Sequence, residues 1–111
     1  MSTQSARTRG AIARTSRDMR PHAAAAAELL RALANEQRLM ILCNLVPGPL
    51  SVGELNKRLP LSQSALSQHL GVLREAGVVV TSRESQSVIY SLPPGIATRI
   101  IGLLHQEFCR D

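Results

Sequence analysis

Leu61-Ser62-Gln63-Ser64-Ala65-Leu66-Ser67-Gln68-His69-Leu70-Gly71-Val72-Leu73-Arg74 is the stretch on which the architecture of this chain turns. Leu66, Leu70 and Leu73 fall at i, i+4 and i+7, the spacing of one apolar helix face, and Ser62 stands where an N-cap belongs. Gly77 supplies the C-terminal stop. With the three leucines inward, Ser64, Gln68 and Gly71 point straight out, flanked by Ser67 and Arg74. The outward face is small, polar and uncharged.

Just upstream, Ser51-Val52-Gly53-Glu54 matches a capping box, in which hydroxyl and carboxylate satisfy each other's free backbone amides. It opens a short helix ending near Leu59, ahead of Pro60, so Leu61 and Ser62 leave room only for a tight turn between two helices. Before it, Asn35 caps a helix over Glu36 to Val46, with Leu39, Leu42, Leu45 and Val46 at helical spacing, stopped by Pro47, Gly48 and Pro49. His22 to about Ala34 predicts a first helix with Leu29, Leu30 and Leu33 on one side. Downstream, Val78 to Ser82 is a β-branched run, Arg83 to Gln86 is polar, and Val88, Tyr90 and Leu92 alternate with Ile89 and Ser91. That pattern predicts a two-stranded hairpin. Pro93, Pro94 and Gly95 then start a last helix whose Ile96, Ile100, Leu104 and Phe108 form a stripe, widened by Ile101 and Leu103. The order α-α-α-α-β-β-α is that of a winged helix-turn-helix, mainly α with a small β-hairpin.

Composition agrees. The 111 residues allow one domain and exclude a multi-domain enzyme, and 16 Leu and 13 Ala against only Tyr90 and Phe108 as aromatics argue for an aliphatic, helical core. The net charge of +5 favours a polyanionic partner. Residues 1–20 hold five Arg against Asp18, a net +4, so the basic arm is set against a nearly neutral domain over 21–111. The arm's charge suits phosphate backbone, a plain solvated or tag-like terminus suits it as well, and its Arg-rich, acid-poor makeup is also that of an organellar transit peptide. No secretory segment follows, and Ala23 to Ala27 is too short to span a membrane. A soluble, intracellular protein with its two cysteines as thiols is expected.

In a helix-turn-helix the second helix enters the major groove, where each base pair shows its own donor and acceptor pattern. Gln pairs with adenine through two hydrogen bonds and Ser donates or accepts, so Gln63, Ser64, Ser67 and Gln68 are the candidate groove residues, weighed against a merely solvated face. His69 sits at the edge of the core side, where a packed or cap-associated histidine competes with a DNA contact. Lys57, Arg58, Arg74 and Arg83 are candidate phosphate contacts, and Gln86 in the hairpin joins the DNA-binding set.

Asn35-Glu36-Gln37-Arg38-Leu39-Met40-Ile41-Leu42-Cys43, Ser51-Val52-Gly53-Glu54-Leu55 and Leu61 to Leu70, continued by Leu73-Arg74, Gly77, Val78-Val79, Gln86 and Val88-Ile89-Tyr90-Ser91-Leu92, resemble the ArsR/SmtB family of bacterial winged-helix repressors. The resemblance covers roughly residues 22 to 110. It implies a cytoplasmic homodimer that reads an imperfect palindrome in double-stranded operator DNA through two recognition helices and two wings. The first and last helices would form the dimer interface, with Leu29, Leu30, Leu33, Ile96, Ile100, Leu103 and Leu104.

The commonest inducer site in that family holds a metal. The helix that carries thiolates in the arsenic, cadmium and lead sensors reads Glu54-Leu55-Asn56-Lys57-Arg58, without cysteine. The last helix, which supplies the zinc ligands elsewhere, has only His105 and Glu107. Zinc takes about four ligands, so no metal and no other cofactor is expected. Cys43 and Cys109 remain, and on residues alone Cys43 reads as a small buried hydrophobe. The chain is also similar to the family's dithiol branch, which holds sulfide-responsive, biofilm-linked and haemolysin-linked repressors. That likeness implies that the two cysteines face each other within a subunit and are bridged by persulfide, polysulfide or oxidant as inducer. His105, one turn before Cys109, either stabilises its thiolate or simply caps the helix end. The other readings are a metal-responsive repressor, a small thiol enzyme using the same cysteines, which lack a Cys-x-x-Cys spacing, and a nonspecific DNA binder resting on the arm.

Overall fold

A computed structural model describes residues 18–109; residues 1–17 of the expected basic arm, 1–20, lie outside them. A 3-10 turn, Arg20–His22, leads into α1 (Ala23–Leu33) and so reaches one residue into the stretch expected to be arm. There follow α2 (Glu36–Leu45), β1 (Leu50–Ser51), α3 (Val52–Arg58), α4 (Gln63–Glu75), β2 (Val80–Glu84), β3 (Ser87–Ser91) and α5 (Ile96–Phe108). No helix among the described residues is long and apolar enough to cross a membrane.

The starts of α2, α3 and α4 are capped as their sequences require. Asn35 Oδ1 accepts from the Arg38 amide at 3.1 Å, and Ser62 Oγ accepts from the Ala65 amide at 3.1 Å. At α3 the capping box is complete: Ser51 Oγ accepts from the Glu54 amide at 3.1 Å, and Glu54 Oε1 accepts from the Ser51 amide at 2.9 Å. The end of α4 is a Schellman cap. Gly77, at φ +73°, donates to the Arg74 carbonyl, and Val78 donates to Leu73, which turns the chain back toward the core.

That core gathers Leu33, Ile41, Leu42, Leu45, Leu55, Leu66, Leu70, Leu73, Val78, Val79 and Ile101, all aliphatic. The three leucines of α4 are fully buried, as their spacing requires. Two expectations are corrected. The sheet has three antiparallel strands in the order β1-β3-β2, not two, because Leu50 and Ser51 pair with Tyr90 and Ile89. A two-residue strand is too short to show alternation in sequence. The β-branched run also joins the ladder later than expected, since Val78 and Val79 are consumed by the core and only Val80 to Glu84 pair with β3. Arg83 therefore lies within a strand, opposite Val88, and the turn shrinks to Ser85 and Gln86, with Ser85 at φ +57°.

The apolar faces of α1 and α5 divide. Leu33 and Ile101 are buried and Leu29, Ile100 and Leu104 pack against the core, whereas Leu30, Ile96, Leu103 and Phe108 stay 54 to 79% exposed. Leu30 is thus not on the buried side with Leu29 and Leu33.

Ser51→Ala is expected to lower stability by about 1 kcal/mol, read by urea unfolding. The carboxyl of Glu54 is held below its ordinary pKa by the Ser51 amide first, then by the Ser51 hydroxyl and the charges of Arg58 and Lys57. A lowered folded-state pKa makes this contribution present above the unfolded value and lost as pH falls through the folded one. Glu54→Gln should accordingly flatten the acid-side slope of stability against pH.

Candidate functional site

The helix-turn-helix is tied at its turn. Asn56 Nδ2 in α3 donates to the Leu61 carbonyl at 3.0 Å, and the Leu61 amide donates to Leu59 at 2.8 Å. With Leu66, Leu70 and Leu73 withdrawn from water, Gln63, Ser64, Ser67, Gln68, Gly71 and Arg74 are all exposed. A Cβ built on Gly71 would meet nothing within 4 Å, so the chain's own packing does not demand glycine there. Lys57 and Arg58 occupy the exposed last turn of α3, Arg83 is exposed on β2, and Gln86 is exposed in the hairpin turn. The arrangement offers an uncharged hydrogen-bonding helix face together with cations on neighbouring elements. Such a division suits DNA, where charge meets phosphate and neutral polar groups meet base edges.

His69 is half-buried, and its Nδ1 lies 3.4 Å from Arg38 Nη1. A guanidinium has only donors, so this ring nitrogen is the acceptor. The packed alternative for His69 is therefore present in the fold. Arg38 itself was not singled out by sequence. Its Nε donates to the Ala32 carbonyl at 2.6 Å and its Nη2 to Arg31 at 3.2 Å, closing the end of α1. The one local signal is its place three residues after the cap Asn35, where the backbone amide is held.

Cys43 is half-buried on α2, and Cys109 is exposed at the C-cap of α5; both are free thiols. The two helices pack directly on each other. Burial pushes the Cys43 thiol up from its ordinary pKa, and the charge and hydrogen bonding of Cys109 push it further in the same direction. A thiol 66 positions away in sequence thus acts on the ionisation of Cys43. His105 is half-buried, and its backbone carbonyl accepts from the Cys109 amide at 2.8 Å. Among the described residues no three His, Cys, Asp or Glu side chains gather in a way that could hold a metal ion.

Residues 35–81 match the family of bacterial regulatory proteins named arsR. The chain is 52% identical over 93 residues to the transcriptional activator HlyU of Vibrio cholerae, covering 84% of this chain and 86% of that one. It is 47% identical over 91 residues to a biofilm growth-associated repressor of Agrobacterium fabrum, covering 82% and 78%. A solved structure of reduced HlyU from Vibrio cholerae superposes with a TM-score of 0.78 at 52% identity, covering 84% of this chain and 98% of that one. With the cap positions, the helix-turn-helix and the wing already in place, these likenesses settle the assignment. The chain belongs to the arsR family of bacterial regulatory proteins, as a winged-helix DNA-binding regulator of transcription and not an enzyme.

Proposed function

We propose that the chain is a homodimeric repressor of the bacterial cytoplasm, released from operator DNA when Cys43 and Cys109 of one subunit are bridged by a reactive sulfur species or an oxidant. One observation carries the reading: α2 and α5 pack on each other and set the Cys109 thiol beside Cys43, where its charge and hydrogen bonding add to burial in raising the Cys43 pKa. Two relatives bear on it as well, one called a repressor and one with a structure described as reduced.

The asymmetry of the pair orders the chemistry. Cys109 is exposed and Cys43 is half-buried with its thiolate disfavoured, so Cys109 is the first nucleophile. Its thiolate attacks a polysulfide sulfur, a sulfur–sulfur bond breaks, and a shorter polysulfide anion leaves. The Cys43 thiol then loses its proton to solvent and attacks the new adduct. Attack on Cys109 Sγ leaves a disulfide, and attack on an outer sulfur leaves a sulfur-extended bridge, with hydrosulfide or a shorter polysulfide expelled in either case. The two thiols are oxidised by two electrons, and the sulfur chain is reduced by two. Added sulfur relaxes the demand that the two Cα atoms come within about 5.5 Å, which favours polysulfide over peroxide as inducer.

Dimerisation places two recognition helices on successive major grooves. Leu30, Ile96, Leu103 and Phe108, the exposed apolar residues of α1 and α5, form its interface, while Leu29, Leu33, Ile100 and Leu104 mainly serve the subunit's own core. Gln63, Ser64, Ser67 and Gln68 read bases, with Lys57, Arg58, Arg74, Arg83 and Gln86 on the backbone. A bridge that shifts α2 against α5 changes the spacing of the two helices, and coupling of roughly 1 to 3 kcal/mol changes occupancy about 5- to 150-fold.

Electrophoretic shift should show operator binding by the reduced protein and its loss after polysulfide, with intact mass reporting lost hydrogens or added sulfur. Cys43→Ser and Cys109→Ser should each stay bound under polysulfide; release by both variants would overturn the thiol mechanism. Iodoacetamide should modify Cys109 before Cys43 near neutral pH. In Cys109→Ser the Cys43 pKa should fall toward its ordinary value without reaching it, because burial remains. Leu103→Glu should yield monomers by light scattering and weaken operator binding.

A further inference from the structure

Arg38 contributes nothing to the DNA-facing set or to the thiol pair, yet its side chain binds two other helices at once. Two of its three contacts have a local purpose. The Arg31 and Ala32 carbonyls, to which Nη2 and Nε donate, lie in the last turn of α1, where carbonyls lack partners within the helix. The third contact, Nη1 to His69 Nδ1 at 3.4 Å, reaches α4 across 31 positions of sequence. Among the described residues it is the side-chain hydrogen bond that joins the body of α4 to another helix.

What holds α4 otherwise is the burial of Leu66, Leu70 and Leu73, which is strong but without direction. Apolar contact resists withdrawal of a helix more than it resists a small roll about the helix axis. A roll would carry His69 off Arg38 and, with it, Gln68 and Ser64 off their line of approach to the bases. We infer that Arg38 is a positioning residue for DNA recognition, setting the rotation of α4 through the acceptor nitrogen of His69. The inference uses the DNA-binding assignment alone and is independent of the thiol chemistry, so every measurement is made on the reduced protein.

The test uses the full chain and a short duplex enriched by the wild-type protein from a random-sequence library, beside an unselected duplex. His69→Leu removes the acceptor, His69→Asn places an amide oxygen near the Nδ1 position, and Arg38→Met removes every side-chain donor. His69→Leu and Arg38→Met should each weaken binding to the enriched duplex by about tenfold, and the double variant should lose no more than either alone. His69→Asn should stay within about threefold of wild type, and binding to the unselected duplex should be unchanged throughout. Thermal unfolding separates the two purposes of Arg38: Arg38→Met lowers Tm through the open end of α1, whereas His69→Leu leaves it near wild type. Wild-type affinity in His69→Leu would overturn the inference. So would a His69→Asn variant as weak as His69→Leu, or additive losses in the double variant, which would make His69 a direct DNA contact.

Discussion

The withdrawal of three leucines of α4 from water is the constraint on which the rest of the molecule depends. Each fully buried leucine is worth about 1.5 to 3 kcal/mol, more than any single surface contact in a domain of this size. Once Leu66, Leu70 and Leu73 meet Ile41, Leu42, Leu45 and Leu55, the opposite side of α4 has no choice but to face outward. Serines and glutamines occupy that side, and burying them without partners would cost more than the leucines return. Caps then set where the helix begins and ends: Ser62 holds its first turn, and Gly77 turns the chain so that Val78 falls back on Leu73.

Much of this is written locally in the amino-acid order, and what was legible shares a physical trait. The capping box at Ser51, the Asn35 and Ser62 caps, the leucine spacing of α4 and the Gly77 stop all act within a few residues, so periodicity and cap chemistry reveal them. The misread features depend on distant partners. β1 exists only because β3 lies beside it, and Val78 and Val79 leave the ladder only because the core claims them. Leu30 parts from Leu29 and Leu33 because neighbouring helices cover only part of α1. The reach of Arg38 to His69 has no local signature at all. The closeness of Cys43 and Cys109 belongs to the same class, and on the residues alone it was invisible; only resemblance to known regulators pointed to it.

The two readings of DNA and thiols meet on α2. Cys43 sits near its C-terminal end, facing α5, while Arg38 sits in its first turn and spans to α1 and α4. A single ten-residue helix therefore touches the thiol pair at one end and α4, the proposed base reader, at the other. A rigid rod of that length passes a displacement along itself without needing any intervening residue to change rotamer, and the buried Ile41, Leu42 and Leu45 keep it from bending.

Ser51 carries a consequence of its own. Its backbone is the last residue of β1, paired with Ile89, and its side chain and amide begin α3 in the capping box. One amino acid is thus the seam between the wing sheet and the helix pair, with no slack on either side. Whatever moves the sheet at this strand carries the first turn of the helix pair along, because strand pairing and helix cap share a single residue.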